Sequence, residues 1–207
     1  MDNYLNIIIQ ECRKIDFGPQ MIEIIPQEEI HYFINSFRNK FVKQGGVTAS
    51  FSNGFSLGSN NYNECTPVII QDHLNGYAMH FHIDANDNAE DLLSQKQSEY
   101  LKLLPKGILE VTILKTPSTR HNLRDIAPEL THHRNDLFSI REHEFSFRET
   151  YDVRYIPENR VILVKPKEQK DLFLIYTLPN IEFAFKEQLA MKYKLSPENE
   201  MHYNINF

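Results

Sequence analysis

Cys65 and His82 are the residues whose types and spacing point most directly to chemistry. A cysteine attacks an electrophilic carbon as the thiolate, and a neighbouring imidazole is the usual acceptor of its proton. Cys65 opens the run Thr66-Pro67-Val68-Ile69-Ile70, and a turn over 72–76 leads into a second apolar run, Tyr77 to Ile83. Both runs read as strands, and an antiparallel return carries the end of the second back toward Cys65. Along that second strand Tyr77, Met79, Phe81 and Ile83 share one face, while Ala78, His80, His82 and Asp84 share the other. The returning strand places both His80 and His82 near Cys65, as candidate bases. The same polar stripe spells His-x-His-x-Asp, a pattern that suits a divalent metal in a metal-dependent hydrolase using His80, His82 and Asp84. Such hydrolases normally continue with a histidine where this chain has Ala85, and His121, His132 and His133 are distant in sequence. A non-catalytic protein-binding module with a buried, inert Cys65 is the remaining alternative.

The elements that must position this pair follow from periodicity. Leu5, Ile8, Ile9 and Cys12 form a helical stripe over 2–15, where Cys12 packs as a small hydrophobe. Pro26 opens a second helix on which Ile30, Phe33, Ile34, Phe37 and Phe41 repeat at helical spacing, with Gly45-Gly46 ending it. From Val47 the period falls to two, and Asn53-Gly54 reads as a tight turn between paired strands, followed by a polar loop, Gly58 to Asn61. Asn88 is the expected cap of a helix running to about Leu104. Ile108 to Leu114 is another strand, and Phe138 to Leu178 supplies three or four more, with Pro157-Glu158-Asn159 as a turn. His132-His133 falls in a loop, Arg141 to Glu144 reads as an exposed strand face, and Asn180 to Lys192 returns to helix. The order predicts an α+β fold, with a mainly antiparallel, sandwich-like sheet and helices packed against it. Residues 1–207 are expected to form a single catalytic domain with a mobile tail from about 193.

Composition narrows the function classes. With 207 residues, 41% of them hydrophobic, the chain can build a full core. A net charge of -6 without clustered Lys and Arg argues against a nucleic-acid binder. No apolar run approaches the roughly 20 residues of a membrane span, and Asp2 stands where a secretory signal carries basic residues. Cys12 and Cys65 are expected to be free thiols in a reducing compartment.

Around Cys65 the chain resembles the Cys-His glutamine deamidases, the group that includes the Burkholderia lethal factor, the cytotoxic necrotizing factors and the chemotaxis deamidase. Ser59 lies six positions before Cys65, a short strand follows the cysteine, and His82 sits at the end of the next strand in Phe81-His82-Ile83-Asp84-Ala85. The likeness covers roughly residues 55 to 104 and departs at Asn63-Glu64, where the group has Ser-Gly. Glu64 therefore sets a carboxylate beside the thiol, which raises its pKa if the side chain faces it. The resemblance implies that Ser59 orients His82, with Asp84 and Asn61 as substitutes, and that His82, with His80 in reserve, takes the Cys65 proton. The thiolate would attack a substrate carboxamide, ammonia would leave, and water would hydrolyse the thioester; an amine in place of water gives transglutamination. It also implies no cofactor or metal, and a protein substrate carrying a target glutamine on a host regulatory protein. The chain would then be a monomeric toxin or effector, cytoplasmic or secreted into a host cell without a cleaved signal peptide.

Overall fold

The computed structural model describes residues 20–26, 35–51, 53–72, 76–104, 109–134, 137–169 and 172–177. Along them run β1 (Gln20–Pro26), β2 (Arg38–Phe41), β3 (Gly46–Ser50), β4 (Phe55–Tyr62), β5 (Thr66–Asp72) and β6 (Ala78–Ile83). There follow α1 (Gln95–Leu103), β7 (Leu109–Lys115), α2 (Leu123–His133), β8 (Leu137–Glu144), β9 (Tyr151–Ile156), β10 (Val161–Pro166) and β11 (Leu172–Thr177). The expected helices over 2–15 and 180–192, and the tail from 193, lie outside the described residues.

The strands form two sheets, one ordered β1-β11-β10-β9-β4-β2 and the other β3-β6-β5-β7-β8. All pairs are antiparallel except β2 with β4 and β7 with β8. The α+β class with a mainly antiparallel sheet therefore stands. Leu57, Tyr62, Tyr151, Val153, Tyr155 and Ile162 of the six-stranded sheet pack against Cys65, Ile69, Ala78 and Leu114 from the other side, so the inner faces bury one another. The Tyr155 hydroxyl crosses this layer to the Gln71 side-chain oxygen. The other face of the five-stranded sheet, with Val68, Ile70, Met79, Phe81 and Val111, is covered by Leu101 of α1 and Ile126 and Leu130 of α2.

Several expectations are corrected. The helix from Pro26 does not reach Phe41, because Arg38–Phe41 is strand β2 beside β4; residues 27–34 lie outside the described residues. The segments flanking Asn53-Gly54 do not pair with each other: β3 joins β6 and β4 joins β2 and β9, in different sheets. Gly58 to Asn61 is not a loop but the second half of β4. Helix α1 starts at Gln95 under a Ser94 cap, reciprocated by Gln97. Asn88 instead closes a turn through its side-chain oxygen on the Glu90 and Asp91 N–H groups. His132 and His133 lie in the last turn of α2 rather than in a loop.

Candidate functional site

β5 and β6 form the expected hairpin, with Thr66 opposite Ile83 and Pro67 opposite His82. Cys65 stands just before β5, two residues from Pro67, so alternation sets it on the side of the ladder that His82 occupies, in the inter-sheet cluster with Ile69 and Ala78. That face does not meet solvent. Every residue of β6 is buried, because the apolar side packs on the helices and the histidine side on the second sheet. Cys65 is 8% exposed, His82 3% and Ser59 1%.

β4 approaches from the opposite sheet and presents Ser59 and Tyr62 to the histidines. The Ser59 Oγ lies 2.7 Å from the Val42 carbonyl oxygen and 2.7 Å from His82 Nδ1. A hydroxyl has one hydrogen and a carbonyl can only accept, so Ser59 donates to Val42 and accepts from His82 Nδ1–H. This assigns the tautomer: His82 carries its proton on Nδ1 and holds a bare lone pair on Nε2. Nε2 is buried with no hydrogen-bond partner among the described residues. Burial lowers the His82 pKa to about 4, against a small opposing pull from Asp84, so the ring is neutral at pH 7 and Nε2 is available as a base. Gly45 N–H donates to the His82 carbonyl at 2.9 Å and fixes its backbone.

His80 is engaged on both nitrogens. Its Nδ1 lies 3.3 Å from the Leu57 carbonyl oxygen and its Nε2 2.9 Å from the Tyr62 hydroxyl. By the same logic Nδ1–H donates to Leu57 and Tyr62 donates to Nε2. His80 therefore has no free lone pair, which removes it as reserve base and as a metal ligand. Tyr62 in turn stacks on the His82 ring with centroids 4.0 Å apart. No group of three metal-binding side chains assembles among the described residues, and both Asp84 carboxylate oxygens are already bonded, to Gln44 and to Asn86. The His-x-His-x-Asp metal alternative is thus not assembled.

The thiol itself sits among acids. Burial raises the Cys65 pKa, the Ala85 backbone N–H lowers it, and Asp84, Glu64 and Asp87 raise it further. Cys65 rests as the neutral thiol, and the Glu64 effect expected from the sequence is present in sign. Ser59 holds the orienting position, whereas Asp84 and Asn61 do not; Asn61 is exposed with φ of 61° and donates its backbone N–H to Asp152. Tyr151 completes the wall: its ring centre lies 5.5 Å from that of Tyr62, and burial raises its pKa while the neighbouring Thr119 hydroxyl lowers it. Arg120 ties the cysteine loop down, its N–H on the Glu64 carbonyl at 2.8 Å and its guanidinium on the Ala85 carbonyl at 3.1 Å. Tyr62, Tyr151 and Arg120 were not legible in the sequence, where each stands as a single polar or aromatic residue with no spacing signal.

No family model matches the chain, and no curated protein matches it. Among solved structures the chain is similar to a Neisseria meningitidis protein of family-model DUF152, with TM-score 0.43 and 10% identity over 73% of this chain and 79% of that one. At that level the likeness assigns no family. The Cys-His glutamine deamidase family and the toxin deamidase function expected from the sequence are corrected: no family model and no curated protein matches the chain, and the solved structure it is similar to is a DUF152 protein. A physical departure accompanies the correction: with Asn63-Glu64 before it, the thiol is held neutral among carboxylates rather than poised as a thiolate. Among the described residues no helix is long and apolar enough to cross a membrane.

Proposed function

We propose that the chain is a thiol-dependent enzyme of acyl transfer or hydrolysis, with Cys65 as nucleophile, His82 as general base and Ser59 as the residue that orients His82. The observation that carries this reading is the buried His82 Nε2, which has no hydrogen-bond partner among the described residues, on a ring that shares the inter-sheet side of the ladder with Cys65. A buried polar atom without a partner costs about 1–3 kcal/mol, and such groups concentrate where a reaction uses them.

Because Cys65 rests protonated, attack and proton transfer occur together: the Cys65 Sγ–C bond forms as Nε2 takes the thiol proton, and the imidazolium delivers it to the leaving group as the bond from that group to the acyl carbon breaks. Water or an acceptor nucleophile then cleaves the thioester and returns the proton to Cys65. Ser59 accepts from Nδ1–H throughout and keeps the ring turned. The Ala85 N–H, close enough to the thiol to lower its pKa, and the Tyr151 hydroxyl are the donors available to charge that develops beside the sulfur.

The test is acylation by p-nitrophenyl acetate, followed by nitrophenolate release and by the mass of the Cys65 peptide. The expected result is an acetyl group on Cys65 that forms at least about tenfold more slowly in His82→Ala, in line with the usual worth of a general base. Acetylation at the same rate in both proteins would show a merely exposed thiol, and none in either would show an inert one; each sinks the proposal.

A further inference from the structure

The outer face of the six-stranded sheet carries a cleft that the Cys65 chemistry does not use. It encloses about 320 Å³ and is lined by Arg154, Lys165, Phe41, Phe173, Asn39 and Asn60 among others. That volume lies at the lower end of the range of small-molecule sites. Alternation along the strands sets it apart from the thiol: Tyr151, Val153 and Tyr155 of β9 point into the inter-sheet core, leaving Asp152 and Arg154 on the outer face. Likewise Ser59 faces His82 while its neighbour Asn60 lines the cleft.

Beside the cleft, on β4, a Cβ on Gly58 would stand 3.0 Å from the Val153 carbonyl oxygen and 3.6 Å from the Phe41 ring, so glycine leaves room there for the Phe41 side chain. Two aromatic rings form the sides, each under a cation: the Arg154 guanidinium lies 5.4 Å from the Phe41 ring centre, and the Lys165 ammonium 5.3 Å from that of Phe173. Phe41 is 52% exposed, among the large apolar side chains most open to water.

Arg154 is the telling residue. Burial pulls its pKa down from the ordinary value, and only Asp152 opposes. Yet Asp152 is already engaged, one oxygen on Lys167 at 2.6 Å and the other on the Asn61 N–H at 2.9 Å. Among the described residues the Arg154 guanidinium makes the ring contact and no hydrogen bond or ion pair. A half-buried guanidinium whose five donors meet no partner among the described residues has the chemistry of an anion site.

From this cleft we infer a second binding site, for a small oxyanion carried on a flat apolar group, with Arg154 holding the oxyanion, Lys165 adding charge, and Phe41 and Phe173 bracketing the flat part. Carboxylates and phosphate monoesters share that chemistry. The site is separate from the proposed thiol chemistry and stands or falls without it.

The test titrates the full chain with phenyl phosphate and, separately, with benzoate, by calorimetry and amide NMR. Benzyl alcohol serves as the uncharged control. Saturable binding of either anion, with shifts at Asn60 and Arg154, is expected; which anion binds tells phosphate from carboxylate. Arg154→Met is expected to weaken binding about tenfold or more, the scale of a charge-assisted contact. Phe41→Ala, at an exposed position, should weaken it without disturbing the fold. The site is refuted if neither anion saturates, if benzyl alcohol binds as well, or if both variants bind as the natural chain does.

Discussion

The hydroxyl of Ser59 decides which nitrogen of His82 can act as a base. Its only hydrogen goes to the Val42 carbonyl, so it must accept from Nδ1–H. Ser59→Ala removes that acceptor, and the expected outcome is a tautomer mixture visible in imidazole ¹⁵N shifts, with acetylation of Cys65 slowed by about tenfold. His80 carries a different prediction, on stability. Burial lowers its pKa to about 4, so the unfolded chain takes up that proton near the ordinary imidazole value of 6.5 and the folded chain does not. The stability involved is complete above the unfolded pKa and is lost as pH falls from there toward 4. Urea unfolding at pH 7 and at about pH 4.5 should show a steeper loss in the natural chain than in His80→Gln; equal losses would show that His80 does not titrate across the transition. Of these residues Cys65, His82 and Ser59 were legible, because a strand period of two and a hairpin turn suffice to bring Cys65 and His82 to one face. The silence of His80 was not legible, since it depends on Tyr62 and Leu57 arriving from the other sheet.

Elements were legible where pattern and packing agree. β5, β6 and β7 are short segments rich in apolar and β-branched residues and bounded by turn residues, and the segment after 137 yields β8 to β11 around the expected turn at Pro157. Helix α2 was missed although Asn122 and Asp125 form a reciprocal cap at its start. Pro128 within it and Thr131-His132-His133 at its end weaken every propensity signal. Tertiary contacts hold it instead: Leu123 N–H donates to Glu142 at 2.6 Å, and Arg134 just past its end caps α1 through the Leu101 and Leu104 carbonyls. Asn122→Ala should therefore lower stability by about 1 kcal/mol in thermal or urea unfolding, with acetylation of Cys65 unchanged. Gly45 is the other element-scale position, with φ of +69° before β3 and open space where a Cβ would sit. Gly45→Ala should cost about 1–2 kcal/mol through backbone strain alone. It should also slow Cys65 acetylation, because relief of that strain shifts the residue-45 N–H that holds the His82 carbonyl.

Across the whole molecule, the layer between the sheets is both core and candidate active site. Leu57, fully buried in it, also supplies the carbonyl that anchors His80. Leu57→Ala should cost about 2–5 kcal/mol, the range for emptying a packed core position, measured by urea unfolding. The α+β class, the run of sheet in the second half, the β5–β6 hairpin and the Cys65–His82 face were determined by sequence alone, because local period and turn chemistry specify them without reference to distant chain. Only the tertiary structure decided that β3 and β4 part into different sheets, that the histidine stripe is buried rather than wet, and that Cys65 rests as a neutral thiol. Each of these depends on which surface packs against which, and on the desolvation and carboxylates that packing brings to a group, quantities that no local stretch of residues contains.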